Sequence, residues 1–214
     1  MSTSKKESGK NTGQITKKSG RGNSHGVISE VSAYLTVKPG HEEEARAAAF
    51  RFGEVLKKAD WKDVQKTGLR DARLVNFDNG RRLMFASGFE TDWDPYVDDA
   101  ILVVGLQHFL DWIQHSVEGE ELAAEVKSLT KNIDPNDPAF VEKVKPAGPH
   151  LKALIQRVQT PATTYFNALS DLTMPQIKKA QRLQQAFEKV LDDPAAQEAL
   201  QHPALKPLLE QAAD

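Results

Sequence analysis

There is no cysteine in this 214-residue chain. Disulfides, thiolate nucleophiles and cysteine-held zinc are therefore excluded. Aromatic residues are sparse, at 7%, and no apolar run approaches the roughly 18 residues a membrane span requires, so no membrane partner is expected. Lysines near the N-terminus are not followed by an apolar stretch, which leaves no signal peptide to read and makes the cytoplasm the expected compartment. A Gly-x-Ser-x-Gly elbow, a His-Glu-x-x-His pair and a glycine-rich strand-to-helix loop are also missing. Serine hydrolysis, zincin chemistry and phosphate cradling thus lack the residues that would carry them. No residue spacing points to a metal site.

Neither sign of charge dominates overall, but its distribution is uneven. Lys5, Lys6, Lys10, Lys17, Lys18 and Arg21 against Glu7 give the first 24 residues a charge of +5. With −2 for the whole chain, the remainder carries −7. An acidic body argues against nucleic acid as a partner. Residues 1–24 also lack the apolar content to offset the entropy of ordering, and are expected to form a disordered basic tail.

The strongest local signal is Asn79-Gly80 between two alternating apolar runs. A type I′ hairpin turn needs positive φ at both central positions, and this dipeptide supplies it. Pairing Asp78 with Arg81 fixes the register. One face then carries Arg70, Ala72, Leu74, Asn76, Leu83, Phe85, Ser87 and Phe89 and suits covering helices. The other carries Asp71, Arg73, Val75, Phe77, Arg82, Met84, Ala86, Gly88 and Glu90, a mixture of apolar groups and charges.

Around this hairpin the remaining elements fall into order. Val27–Val37 alternates as a first strand, with Val27, Val31, Ala33, Leu35 and Val37 on its core side. His41–Ala59 reads as a helix whose first turn is acidic and last turn basic, matching the dipole. After the hairpin, Thr91 is the expected N-cap of a helix over Trp93–Val117 with a break at Gly105. Residues 118–160 hold four prolines and read as an irregular excursion with a short helix at Glu120–Thr130. Ala162–Leu169 is β-branched and aromatic and is expected as a last strand. Thr173 and Pro175 open a helix to about Leu191, and Ala195–Ala212 continues helically with a break at Pro203. The order predicts an α+β, ferredoxin-like βαββαβ domain over residues 25–170 with a C-terminal helical extension over 171–214.

Val37-Lys38-Pro39-Gly40-His41-Glu42 resembles the strand-to-helix junction of antibiotic-biosynthesis-monooxygenase-like proteins, within the dimeric α+β barrel superfamily. The hairpin segment, DWIQHSVEGE and TTYFNALSDLTMPQI resemble a bacterial group of that type more closely. The resemblance implies a homodimer whose two sheets pack face to face. Some members are cofactor-free oxygenases, while chlorite dismutases and dye-decolourising peroxidases bind haem. The Gly-x-x-Asp-Gly motif of those peroxidases is absent.

Three groups of residues are candidates for chemistry. Arg73, with Asp71 and Glu90, projects from the mixed face beside Val75, Phe77 and Met84, with Tyr34 on the adjoining strand. A guanidinium there suits an anionic ligand through paired hydrogen bonds, and either carboxylate could act as base. An ion pair across a dimer interface uses the same residues without any ligand. His108 and His115, two helical turns apart, are candidates for haem ligation. The chain is therefore expected to be a small-molecule-binding barrel protein, an oxygenase- or isomerase-like enzyme if catalytic. The alternatives are a homodimeric binding or assembly module and a haem protein.

Overall fold

The computed structural model describes residues 22–131, 133–134 and 137–212; the expected basic tail lies outside the described residues up to Arg21. Among the described residues, β1 (Ser24–His25), β2 (Ile28–Thr36), β3 (Leu69–Phe77) and β4 (Arg82–Phe89) form one antiparallel sheet in the order β1-β2-β4-β3. Asn79 and Gly80 take φ of 56° and 83°, as the turn demands, and Phe77 faces Arg82, Val75 Met84 and Arg73 Ala86. The hairpin register is the expected one.

Backbone direction can be followed strand by strand. The Val37 N–H donates to the Arg81 carbonyl and the Glu90 N–H to the Gly68 carbonyl. Even-numbered residues of β4 therefore bond toward β3. Opposite them, Arg73, Val75 and Phe77 face β4, while Ala72, Leu74 and Asn76 turn their backbone groups outward. β3 is the edge strand, and no described residue bonds to those outward groups.

One face of the sheet is covered by α1 (Glu42–Lys58), α2 (Trp61–Lys66), α3 (Trp93–Val104) and α4 (Leu106–Ile113). Val31, Ala33, Leu35, Leu83 and Phe85 form the strand side of this core. Phe52 of α1 packs edge-on against Phe85, which stacks on Trp112 with ring centres 5.9 Å apart. Burying such side chains is the main favourable term of folding, about 1.5–3 kcal/mol each. Gly105, at φ 93°, separates α3 from α4 at the expected break. The N-cap of α3 is Asp92 rather than Thr91.

The expected irregular excursion is largely helical. α5 (Glu120–Thr130) is followed by α6 (Pro138–Val144), a 3₁₀ turn and α7 (Gly148–Val158). Pro138, Pro146 and Pro149 sit in the first turns of these pieces, where a missing N–H costs nothing. They start helices instead of breaking one.

The expected strand at Ala162–Leu169 does not form. Apart from a single bridge between Gln159 and Ala33, residues 159–170 run as an irregular strap. Its backbone groups bond to side chains and scattered carbonyls rather than to a neighbouring ladder. At the start of β2, Ile28 is fully buried and Val27 exposed, the reverse of the expected alternation, because Gly26 turns the chain there at φ 60°.

A second compact unit spans Leu172–Asp214. It contains α8 (Met174–Leu191), α9 (Gln197–Leu200) and α10 (Lys206–Ala212). The Thr173 N–H donates to Gln176 Oε1 at 2.7 Å, half of the capping box that starts α8. None of these three helices has a buried residue.

Candidate functional site

The face of the sheet away from the helices carries the residues singled out from the sequence, and it is divided. At one end the strap is fastened across it by Glu30. Oε1 of that buried carboxylate accepts the N–H groups of Asn23 (3.1 Å) and Ala162 (3.0 Å), and Oε2 accepts the Ser32 hydroxyl (2.8 Å). The Thr160 N–H donates to the Ser32 carbonyl and the Val27 N–H to the Ser170 carbonyl, both at 2.8 Å. At this end the strands carry Gly88, and a Cβ there would lie 2.9 Å from Asp71 Oδ2 and 3.2 Å from the Tyr165 hydroxyl. The missing side chain makes room for both. The Tyr165 hydroxyl is buried without a partner; it lies beside the Asn167 side chain, short of hydrogen-bond geometry, and burial pushes it above its ordinary range.

The Arg73–Asp71–Glu90 constellation is not assembled. Glu90 pairs instead with Arg70, Nε to Oε1 at 3.2 Å, with side chains only 7% and 8% exposed. Arg70 also donates from Nη2 to the Leu169 carbonyl at 2.9 Å, tying it to the strap. It was expected on the helix-covered face. A bulge between Leu69 and Asp71 interrupts the alternation and turns it over. Arg73 is exposed, and no described group bonds to its guanidinium.

At the other end of the same face, Val75 and Phe77 are exposed and Tyr34 and Met84 half-buried. They form cross-strand rows, Tyr34–Met84–Val75 and Thr36–Arg82–Phe77.

The helix-covered side holds a different kind of site. A narrow recess of about 20 Å³, room for roughly one water, lies between α1, α2, α3 and the sheet. Phe52, Leu69, Phe85, Val104 and Phe109 are among its walls, with Val64 and Thr67 at the α2 side. The lining contains no charged side chain. Its one phenol, Tyr96, donates to Ser87 Oγ at 2.8 Å, and burial pushes it up to about 12. A neutral phenol engaged in this way offers neither base nor counter-ion. None of the residues proposed from sequence lines this recess, because it arises where α2 meets the sheet, and α2 has no strong sequence signature.

His108 lies on α4, half-buried, and burial lowers its pKa. His115 lies beyond the end of that helix at Ile113, so the two do not share a helical face as expected. His115 Nδ1 is instead 3.1 Å from Nδ1 of His41, the N-cap of α1. Burial, then His41, lowers the His115 pKa. Neither His108 nor His115 lines the recess. Among the described residues, no group of three or more His, Asp or Glu could hold a metal ion. No helix among them is long and apolar enough to cross a membrane.

No family model, curated protein or solved structure matches this chain.

Proposed function

We propose that this chain is a binding protein for a small, neutral, apolar molecule, held between the helices and the sheet. The observation that carries this reading is the lining of the recess, apolar walls with no ionised group, since burying a charge there would go uncompensated. The slot is narrow, so a ligand must part its walls. α2, with no buried residue, is the wall that can yield. The fold reading that accompanies it is a ferredoxin-like half: β2 and β3 both run antiparallel to β4 and flank it, with α1 crossing between them, and the strap standing where a fourth strand would pair.

Thermal melting with small aromatics tests the reading, because a ligand that binds only the folded state raises the midpoint in proportion to its occupancy. Indole should raise it and benzoate should not. Ala100→Leu, which fills the recess from α3, should remove the indole effect while the protein still folds. Equal shifts with indole and benzoate, or an indole shift that survives Ala100→Leu, would rule the recess out.

A second reading, a homodimeric assembly module, is favoured by the uncovered half of the sheet. Tyr34, Val75, Phe77 and Met84 form a contiguous apolar patch of the kind that marks protein contacts. Light scattering on the wild type and on Phe77→Glu checks it: a dimer converted to monomer supports that interface.

A further inference from the structure

We infer that two copies of this chain associate edge to edge through β3, with Phe50 of each copy seated in a groove of the other. The outward backbone groups of Ala72 and Leu74 are unpaired by any described residue, and such an edge is a template for another strand. Natural edges are usually blunted by charge of one sign. Here the charges are opposite and two residues apart on one face, Asp71 and Arg73. An antiparallel pairing about Ala72 sets Asp71 against the partner's Arg73, and Arg73 against the partner's Asp71. The register that brings two outward-facing Ala72 residues together is therefore also the one that neutralises both charges. Centring on Arg73 would oppose like charges, and centring on Leu74 would leave Asp71 facing the partner's Phe77.

The helical side of the same edge agrees. Between α1 and β3 runs an open groove of about 210 Å³, lined by Ala72 and Leu74 of the edge strand and Gly53 of α1, with Glu54, Lys57 and Arg73 also on its walls. Nothing lies within 4 Å of where a Gly53 Cβ would be. Phe50, on the rim of this groove, is 69% exposed. A two-fold axis at Ala72 brings α1 of each copy beside the other, and sets each Phe50 against the apolar part of the other's groove, Ala72 and Leu74, with the stems of Lys57 and Arg73 beside it.

Complementary charge variants test the interface. Arg73→Glu alone and Asp71→Lys alone each place like charges opposite one another twice, and should be monomers near the 23.7 kDa chain mass. Mixed together they restore both opposite-charge pairs and should form a heterodimer of twice that mass, which also shows that both variants fold. Phe50→Glu should dissociate the wild-type dimer, whereas Phe77→Glu, on the far side of the sheet, should not. Association should slow amide exchange at Ala72 and Leu74. A wild type that stays monomeric, a mixture that stays monomeric, or a dimer indifferent to Phe50→Glu overturns the inference; loss through Phe77→Glu alone assigns the dimer to the sheet face instead.

Discussion

The two ends of the sheet's second face are built from the same three strands and the same alternation, yet one is closed and the other open. At the closed end, Glu30, Gly88 and Asp71 lie in one row, and residues 159–170 are bonded to Glu30 and approach Gly88, leaving Asp71 exposed. At the open end, Tyr34, Met84 and Val75 lie in another, with Val75 exposed. The apolar residues are concentrated at the open end, so hydrophobicity did not decide which half was covered. A carboxylate did. Glu30 offers acceptors that an irregular segment can use, and a strand-centre glycine leaves the depth for a tyrosine. Covering a sheet without adding a strand depends on polar side chains replacing the ladder.

The largest effect expected from breaking this contrast comes from Arg70→Ala. It leaves Glu90 buried without its cation, at a cost of about 3–5 kcal/mol, and frees the Leu169 carbonyl. Urea unfolding should show the loss. Arg70→Lys should recover part of it by keeping the charge without the planar fork.

Glu30→Ala comes next. It removes the acceptor of the Asn23 and Ala162 N–H groups and of the Ser32 hydroxyl, and about 1–3 kcal/mol should be lost. Hydrogen exchange should quicken at Ala162 and Asn23 while the hairpin amides keep their protection. Uniform quickening across the sheet would mean that the strap is not a separate cooperative piece.

Tyr165→Phe sharpens the comparison from the other side. Its hydroxyl has no partner to lose, so chemical denaturation should find stability unchanged or raised by about 1 kcal/mol. A clear loss would point to a bridging water between Tyr165 and Asp71. The smallest effect belongs to Arg73→Ala on the unassociated chain, within about 0.5 kcal/mol, as for exposed residues without partners. This separates Arg73 from Arg70, three residues away and deeply engaged.

Much of the fold was legible where a local rule had no competitor. The hairpin register followed from Asn79-Gly80, α1 from its charge-matched ends, α8 from Thr173 and Pro175, and the joint at Gly105 from glycine alone. The rest failed for identifiable reasons. Prolines in residues 118–160 carry the same letter whether they end a helix or begin one, and position alone decides. Ala162–Leu169 has the composition of a strand, but no composition records that the Ala162 N–H goes to Glu30, the Asn167 N–H to His25 Nδ1 and the Leu169 N–H to Asn167 Oδ1. Arg70 was misplaced because one extra residue at a bulge inverts every inference from alternation. That single inversion dissolved the Arg73–Asp71–Glu90 constellation, since the arginine that meets Glu90 is the one assigned to the opposite face. The recess was invisible because its walls are ordinary core residues until α2 is placed.

Glu30 and Ala162 are 132 positions apart in sequence, which bears on the order of events as the chain is made. The hairpin can pair from local contacts and β2 can join it across 46 to 60 residues, but the closed end cannot be finished until the ribosome has released residue 162. Contacts of such separation are entropically costly to form and come late in folding. During synthesis, Ile28 and Ala86 wait in water, and the nascent sheet exposes both ends of its second face at once. A transcript truncated before the strap would yield a chain fixed in that interval, with the unfinished end open to whatever chaperone or neighbour arrives first.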